Sequence, residues 1–190
     1  MKITILSTAF PYRGGIAVFT ERLARAFQTE KDDVNISTFS LQYPNFLFPG
    51  KSQYSSTEKP QDLAIEREVN SINPINWIRI GLKLKKQRPD ILILKYWTPF
   101  LSPCLGTISL IARSNKHTKT IVVIDNLIPH EKRFGDHLLN SYFVNSVDGF
   151  VAMSKSVFDD LNQFDKDKNK VLGVHPLYDN FGKAKSKEEA

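Results

Sequence analysis

Between positions 125 and 131 the chain places Asp125, Asn126, His130 and Glu131, with Pro129 stiffening the bend. A carboxylate and an imidazole on one loop can pass a proton or hydrogen-bond a sugar hydroxyl. The spacing does not suit a metal. A zincin pattern needs a second histidine four residues after His130, and Phe134 stands there. His137 could share a helix face with His130, but a metal pair is the less favoured reading, and His117 sits in a polar turn.

Gly14 and Gly15 form a second candidate. They stand just before a helical pattern, where backbone N–H groups and the helix dipole favour an anion and where the missing Cβ atoms allow close approach. The pattern is neither Gly-x-Gly-x-x-Gly nor a P-loop, so a plain turn stays open as the alternative. Tyr96-Trp97, Ser154 and His175 are further candidates, and each follows an expected strand.

Periodicity supplies the elements that would carry these residues. Strands are expected at Lys2–Ser7, Val34–Ser40, Ile91–Leu94, Thr120–Ile124, Gly149–Ala152 and Val171–Val174. Helical spacing holds over Ile16–Gln28, from Pro74 to Gln87, over Leu101–Ala112, over Lys132–Asn145, and from a cap at Ser154 to Phe164. Strands separated by helices, without hairpin signals, predict a Rossmann-like, doubly wound α/β domain. Its sheet would be mostly parallel, with helices on both faces. All the candidate loops would then share one sheet edge and could line one crevice. Leu41–Pro60 has no period but carries Tyr43, Phe46, Phe48 and Tyr54. It reads equally as a lid or acceptor contact and as a connection packing its aromatics on its own domain.

The totals narrow the classes. The 190 residues, 41% hydrophobic and 24% charged, suit one globular domain. A single cysteine, Cys104, excludes a disulfide framework and a cysteine-based zinc site, and fits a reducing compartment. No apolar run approaches the roughly 18 residues of a membrane span, and Met1–Leu6 does not read as a signal peptide. The sequon at Asn35-Ile-Ser37 is then without consequence. The net charge of +6 suits an anionic partner, although part of it lies in lysines from Lys166 onward that read as a solvated tail. No nucleic-acid module is present and the basic residues are not focused on one helix. The best basic segment, Trp77–Arg88, could graze an anionic membrane; a surface helix with one packed apolar stripe is the preferred reading.

In this order the residues resemble the N-terminal half of group 1 (family 4) retaining glycosyltransferases of the two-domain GT-B fold. The resemblance runs through Phe10-Pro11, Gly14-Gly15-Ile16, Asn73-Pro74 with Trp77, Pro89-Asp90 and Tyr96-Trp97 with Pro99-Phe100. It continues through Asp125-Asn126 with Pro129-His130-Glu131, Ser154-Lys155-Ser156 and His175–Gly182. It implies an acceptor-side domain whose Gly14-Gly15 loop reaches toward the diphosphate of a nucleotide-sugar. The sugar would pass to a saccharide or lipid-linked acceptor with retention, by front-face attack. No metal or other cofactor is expected, since dipoles and cations can offset the leaving charge. Asp125 and His130 are the implied catalytic residues; Tyr96, Trp97, Asn126, Glu131 and Ser154 would line the cleft and acceptor side.

Two departures stand out. Many members carry His-Asn where this chain has Asp125-Asn126, and a carboxylate cannot reproduce an imidazole's donor–acceptor pair at neutral pH. His130 is offered as taking over part of that role. The Glu-x7-Glu element of the donor half has no counterpart; Glu58 and Glu66 share its spacing but straddle Pro60, ahead of the Ile91–Leu94 strand. Residues 1–182 are therefore expected to form the acceptor-side domain, and 183–190 a polar lead-in to a missing donor-binding domain. The chain alone is expected to transfer no sugar. Its setting would be cytoplasmic, with peripheral contact to the inner membrane face as an open option, in polysaccharide or glycoconjugate assembly. The alternative is a free-standing, non-catalytic Rossmann-like module for an anionic ligand.

Overall fold

The computed structural model describes residues 1–44, 53–56, 58–129, 131 and 133–174. Seven strands form one sheet: β1 (Lys2–Leu6), β2 (Asp33–Leu41), β3 (Ala64–Asn70), β4 (Ile91–Tyr96), β5 (Lys119–Ile124), β6 (Gly149–Ala152) and β7 (Asn169–Leu172). Their order is β3-β2-β1-β4-β5-β6-β7, and every neighbouring pair runs parallel. The helices are α1 (Gly15–Thr29), α2 (Pro74–Gln87), α3 (Ser102–Arg113), α4 (Asp136–Asn145) and α5 (Lys155–Phe164). The Rossmann-like expectation is met.

Alternation along the strands sorts the core into two layers. Leu6, Leu92, Leu94, Val122 and Ile124 face a layer that also takes in Leu84, Ile108, Phe143 and Leu161 from α2, α3, α4 and α5. Ile3, Ile5, Ile93 and Val123 face the opposite layer, which α1 supplies with Phe19 and Ala24. Helices thus lie on both faces, α2 to α5 on one and α1 on the other, where Ile91, Ile93, Ile121, Val123 and Val151 line an apolar groove beside α1. α2 and α3 pack closely because Gly81 carries no side chain: a Cβ there would lie 2.7 Å from Cβ of Ile111. Pro103 sits in the first turn of α3, where no backbone bond is lost.

Several expected bounds move. β3 was not expected. It is an edge strand in which Arg67 interrupts the apolar alternation of Ile65 and Val69, and Lys83 of α2 pairs with Glu66 and Glu68 on the other face. Glu66 is thereby a partner of Lys83 in a strand. β4 runs two residues further than Leu94, α4 begins at Asp136 rather than Lys132, and β7 lies two residues earlier than predicted.

The strand order reverses between β1 and β4, with β2 and β3 on one side and β5 to β7 on the other. In open α/β sheets that reversal opens a crevice at the carboxyl ends of the strands. The exits of β1, β4 and β5 therefore border that crevice.

Candidate functional site

Gly14 is the residue before α1, with φ 112° and ψ 174°. This backbone region belongs almost entirely to glycine, and a Cβ at Gly14 would meet nothing within 4 Å. The requirement is thus conformational, not steric. No side chain caps α1, and its first ladder bond runs from the N–H of Val18 to the carbonyl of Gly14 at 3.2 Å. Gly14 and Gly15 are both exposed, so the positive end of α1 faces outward. Glu21, nearly two turns into α1, accepts from the N–H of Phe10 at 3.2 Å and fixes the loop that delivers the glycines.

Lys95, on β4, was not among the expected site residues. Its ammonium lies 2.6 Å from Oδ1 of Asp125 and 4.0 Å from the ring centre of Phe19 on α1. The Lys95 side chain is 3% exposed and that of Asp125 24%. Burial pulls the Lys95 ammonium below its ordinary value, and the neighbouring carboxylate opposes that pull. Asp125 begins the loop after β5, and its N–H continues the ladder to the carbonyl of Tyr96 at 3.0 Å. β4, β5 and α1 therefore meet at one ion pair beside the crevice. Phe19 stands four residues after Gly15, about 6 Å along the helix axis.

Tyr96 corrects an expectation. It is the last residue of β4 and points away from Lys95, into the layer of α3 and α4, where it is fully buried. Its ring stacks on Phe143 at 4.1 Å, and its hydroxyl meets Ser102 Oγ at 2.7 Å and donates to Asn140 Oδ1 at 2.5 Å. Burial raises the phenol well above its ordinary value. Fully buried, Tyr96 cannot line a cleft; it braces the loop after β5. The amide of Asn140 passes the brace on by donating to the carbonyl of Leu127 at 2.7 Å, inside the Asp125–Glu131 run. Asn140 is a second positioning residue that the sequence did not reveal.

Trp97 is half-buried, and its Nε1 donates to the hydroxyl of Tyr43 at 2.8 Å. Tyr43 also packs against Phe100, while the Tyr54 ring lies tilted against Tyr12 at 5.4 Å, where Arg67 lies over both rings. These loop aromatics pack on their own domain; Phe46 and Phe48 lie outside the described residues. Ser154 caps α5, accepting from the N–H of Val157 at 3.2 Å, and is exposed. Asn126 is half-buried, while His130 and His175 lie outside the described residues.

Glu131 lines a cleft of about 450 Å³ between the β4 exit and the loop leading to α4, with Thr98, Phe100, Pro129, Arg133 and Phe134. Phe134 is entirely exposed at its rim. A carboxylate, a guanidinium, a hydroxyl and aromatic rings give this cleft the polar and stacking groups that a saccharide engages. Asp125, Trp97 and Gly14 are not among its lining residues. The expected residues therefore divide between an ion pair under α1 and a neighbouring cleft. Among the described residues no three of His, Cys, Asp or Glu gather as a metal site, and no helix is long and apolar enough to cross a membrane.

The structure resembles UDP-GlcNAc 2-epimerase from Methanocaldococcus jannaschii, with a TM-score of 0.57 and 14% identity over 92% of this chain. This chain spans 46% of that protein's length. It also resembles sucrose-phosphate synthase from Thermosynechococcus elongatus, with a TM-score of 0.54 and 12% identity, covering 95% of this chain and 91% of that one. At these identities the likeness concerns the fold. No curated protein matches the sequence significantly. The sequence model of Glycosyltransferase Family 4 matches residues 13–179, from the approach to α1 to beyond β7. The chain belongs to Glycosyltransferase Family 4.

Proposed function

We propose that this chain is the acceptor-side domain of a retaining transferase that moves a sugar from a nucleotide-sugar to a saccharide or lipid-linked acceptor. The observation that carries the reading is the meeting of α1, β4 and β5 at the sheet's reversal point, within a chain of this family. Gly14 and Gly15 would present the open end of α1 to the donor diphosphate. Asp125, fixed by Lys95, and His130 would stand on the reaction face. Trp97, Asn126, Glu131 and Ser154 would border the acceptor, while Tyr96 is assigned to bracing. Backbone dipoles and basic side chains suffice in this reading to offset the leaving diphosphate, with no metal. A second, donor-binding domain completes the site, so the present chain binds donor weakly and transfers nothing alone. The setting is the cytoplasm, in polysaccharide or glycoconjugate assembly.

Titration of residues 1–190 with a panel of nucleotide-sugars tests this reading. Weak or undetectable binding is expected. Tight binding of one of them by this chain alone would instead favour a self-sufficient, non-catalytic binding module.

A further inference from the structure

The cleft that holds Glu131 and Phe134 does not end at its inner wall. Pro129, Arg133 and Asp136 form that wall, and the same three residues line a second cavity of about 160 Å³ behind it. The second cavity continues between α4 and the end of α5, where His137, Gln163 and Phe164 border it. Its volume is that of roughly five waters, the size of a single sugar ring. The cleft in front, at about 450 Å³, has room for more than one. The two spaces therefore form one path from the β4 exit to the end of α5.

Both spaces combine a ring face with polar groups. Phe134 is entirely exposed and adds nothing to the core, so its ring is open to a ligand. Phe164 stands in the second cavity, with the imidazole of His137 4.8 Å away between ring centres. The negative face of such a ring attracts the weakly positive C–H face of a pyranose. Among the described residues the carboxylate of Glu131 and the guanidinium of Arg133 have no hydrogen-bond or ion-pair partner. Charged groups of this kind make strong hydrogen bonds to hydroxyls. A hydrocarbon chain would press Glu131 and Arg133 against apolar surface. A lone phosphate would engage Arg133 but face the carboxylates of Glu131 and Asp136 and leave the rings unused. A saccharide that spans both spaces uses all of these groups.

We propose that the cleft and the cavity behind it are consecutive subsites for an acceptor saccharide of at least two sugar rings, whether free or carried on a lipid. One ring stacks on Phe134 beside Glu131 and Arg133, and the next passes the Pro129 wall to reach His137 and Gln163. Phe134, His137 and Gln163 thereby set the length of saccharide the site prefers. The inference rests on the acceptor-side reading above and adds a minimum acceptor size to it.

A glycan array of monosaccharides and short oligosaccharides, probed with the labelled 190-residue chain, tests it. Calorimetric titration with the best-bound glycan and with its one-ring fragment follows. The array should be led by glycans of two rings or more, and the one-ring fragment should bind about tenfold more weakly. Phe134→Ala should weaken both ligands about fivefold. His137→Ala with Gln163→Ala should remove the gain from the second ring and leave the affinity for the one-ring fragment unchanged. All three side chains are exposed, and unchanged far-ultraviolet circular dichroism should show that the variants are folded. Equal affinity for one ring and for several overturns the two-subsite proposal and leaves the acceptor-side reading standing. Binding that ignores all three replacements does the same, since the saccharide would then lie elsewhere. Absence of binding to any glycan overturns the proposal and the acceptor-side reading together.

Discussion

Lys95 and Asp125 form an ion pair at 2.6 Å in which only the carboxylate has access to solvent. That inequality governs what each partner's loss should do. Asp125→Asn leaves a buried ammonium without its counter-charge and should destabilise the fold by about 3 kcal/mol. Lys95→Met removes the buried charge, keeps most of the volume and leaves Asp125 able to hydrate, so it should cost less than about 1 kcal/mol. Urea unfolding of the two variants checks this; equal losses would mean that the pair is not asymmetric.

The same burial makes stability depend on pH. In the folded chain Lys95 titrates below its ordinary 10.5, chiefly because it is desolvated. Between the lowered value and 10.5 the unfolded chain binds more protons than the folded one, so stability rises with pH across that window. The penalty is fully present below the lowered value and absent above 10.5. Unfolding free energy of the wild type, measured against Lys95→Met, should therefore climb as pH rises toward 10.5. A flat or falling difference would place Lys95 in a wetter environment than its 3% exposure indicates.

Gly14→Ala should cost about 1–3 kcal/mol, since its φ of 112° is strained for any side chain. The space around it is open, so the loss would come from the backbone alone. Denaturant melts of Gly14→Ala and Gly14→Ser should agree closely; a markedly larger loss for serine would point to a steric cause.

Tyr96→Phe tests the bracing role. The replacement leaves Asn140 Oδ1 and Ser102 Oγ without the phenol, at about 1–3 kcal/mol. Thermal unfolding should register the loss. If this chain joined to a donor-binding half transfers sugar, the acceptor KM should hardly move, whereas direct acceptor contact would raise it.

Much of the layout was legible in the chain because apolar periodicity and helix punctuation agreed. Asn73 caps α2 through bonds of 3.0 and 3.2 Å, Pro74 opens it, and Ser154 caps α5, all as the residue types suggest. β3 was hidden because Arg67 interrupts its apolar alternation. Arg67 is accommodated by the carbonyls of Phe39 and Ser40 and by the rings of Tyr12 and Tyr54, partners that no local pattern announces.

The site was legible as a set of loops but not as a set of side-chain directions. A lysine after Leu94 reads as the end of a strand, so β4 was cut short and the opposite facings of Lys95 and Tyr96 were lost. Only the long-range partner, Asp125, makes a buried lysine tolerable there, and it stands thirty positions away. Asp125 itself drew attention as an unusual residue for its position. Its pairing with Lys95 gives that residue type a physical reason, because a carboxylate balances a buried ammonium where a neutral imidazole would not.

The most direct test joins this chain to a donor-binding half and compares sugar transfer by the wild type with transfer by Asp125→Ala, after both are shown to be folded. A fall in kcat of about a hundredfold or more is expected for Asp125→Ala. An unchanged kcat would contradict the placement of Asp125 on the reaction face.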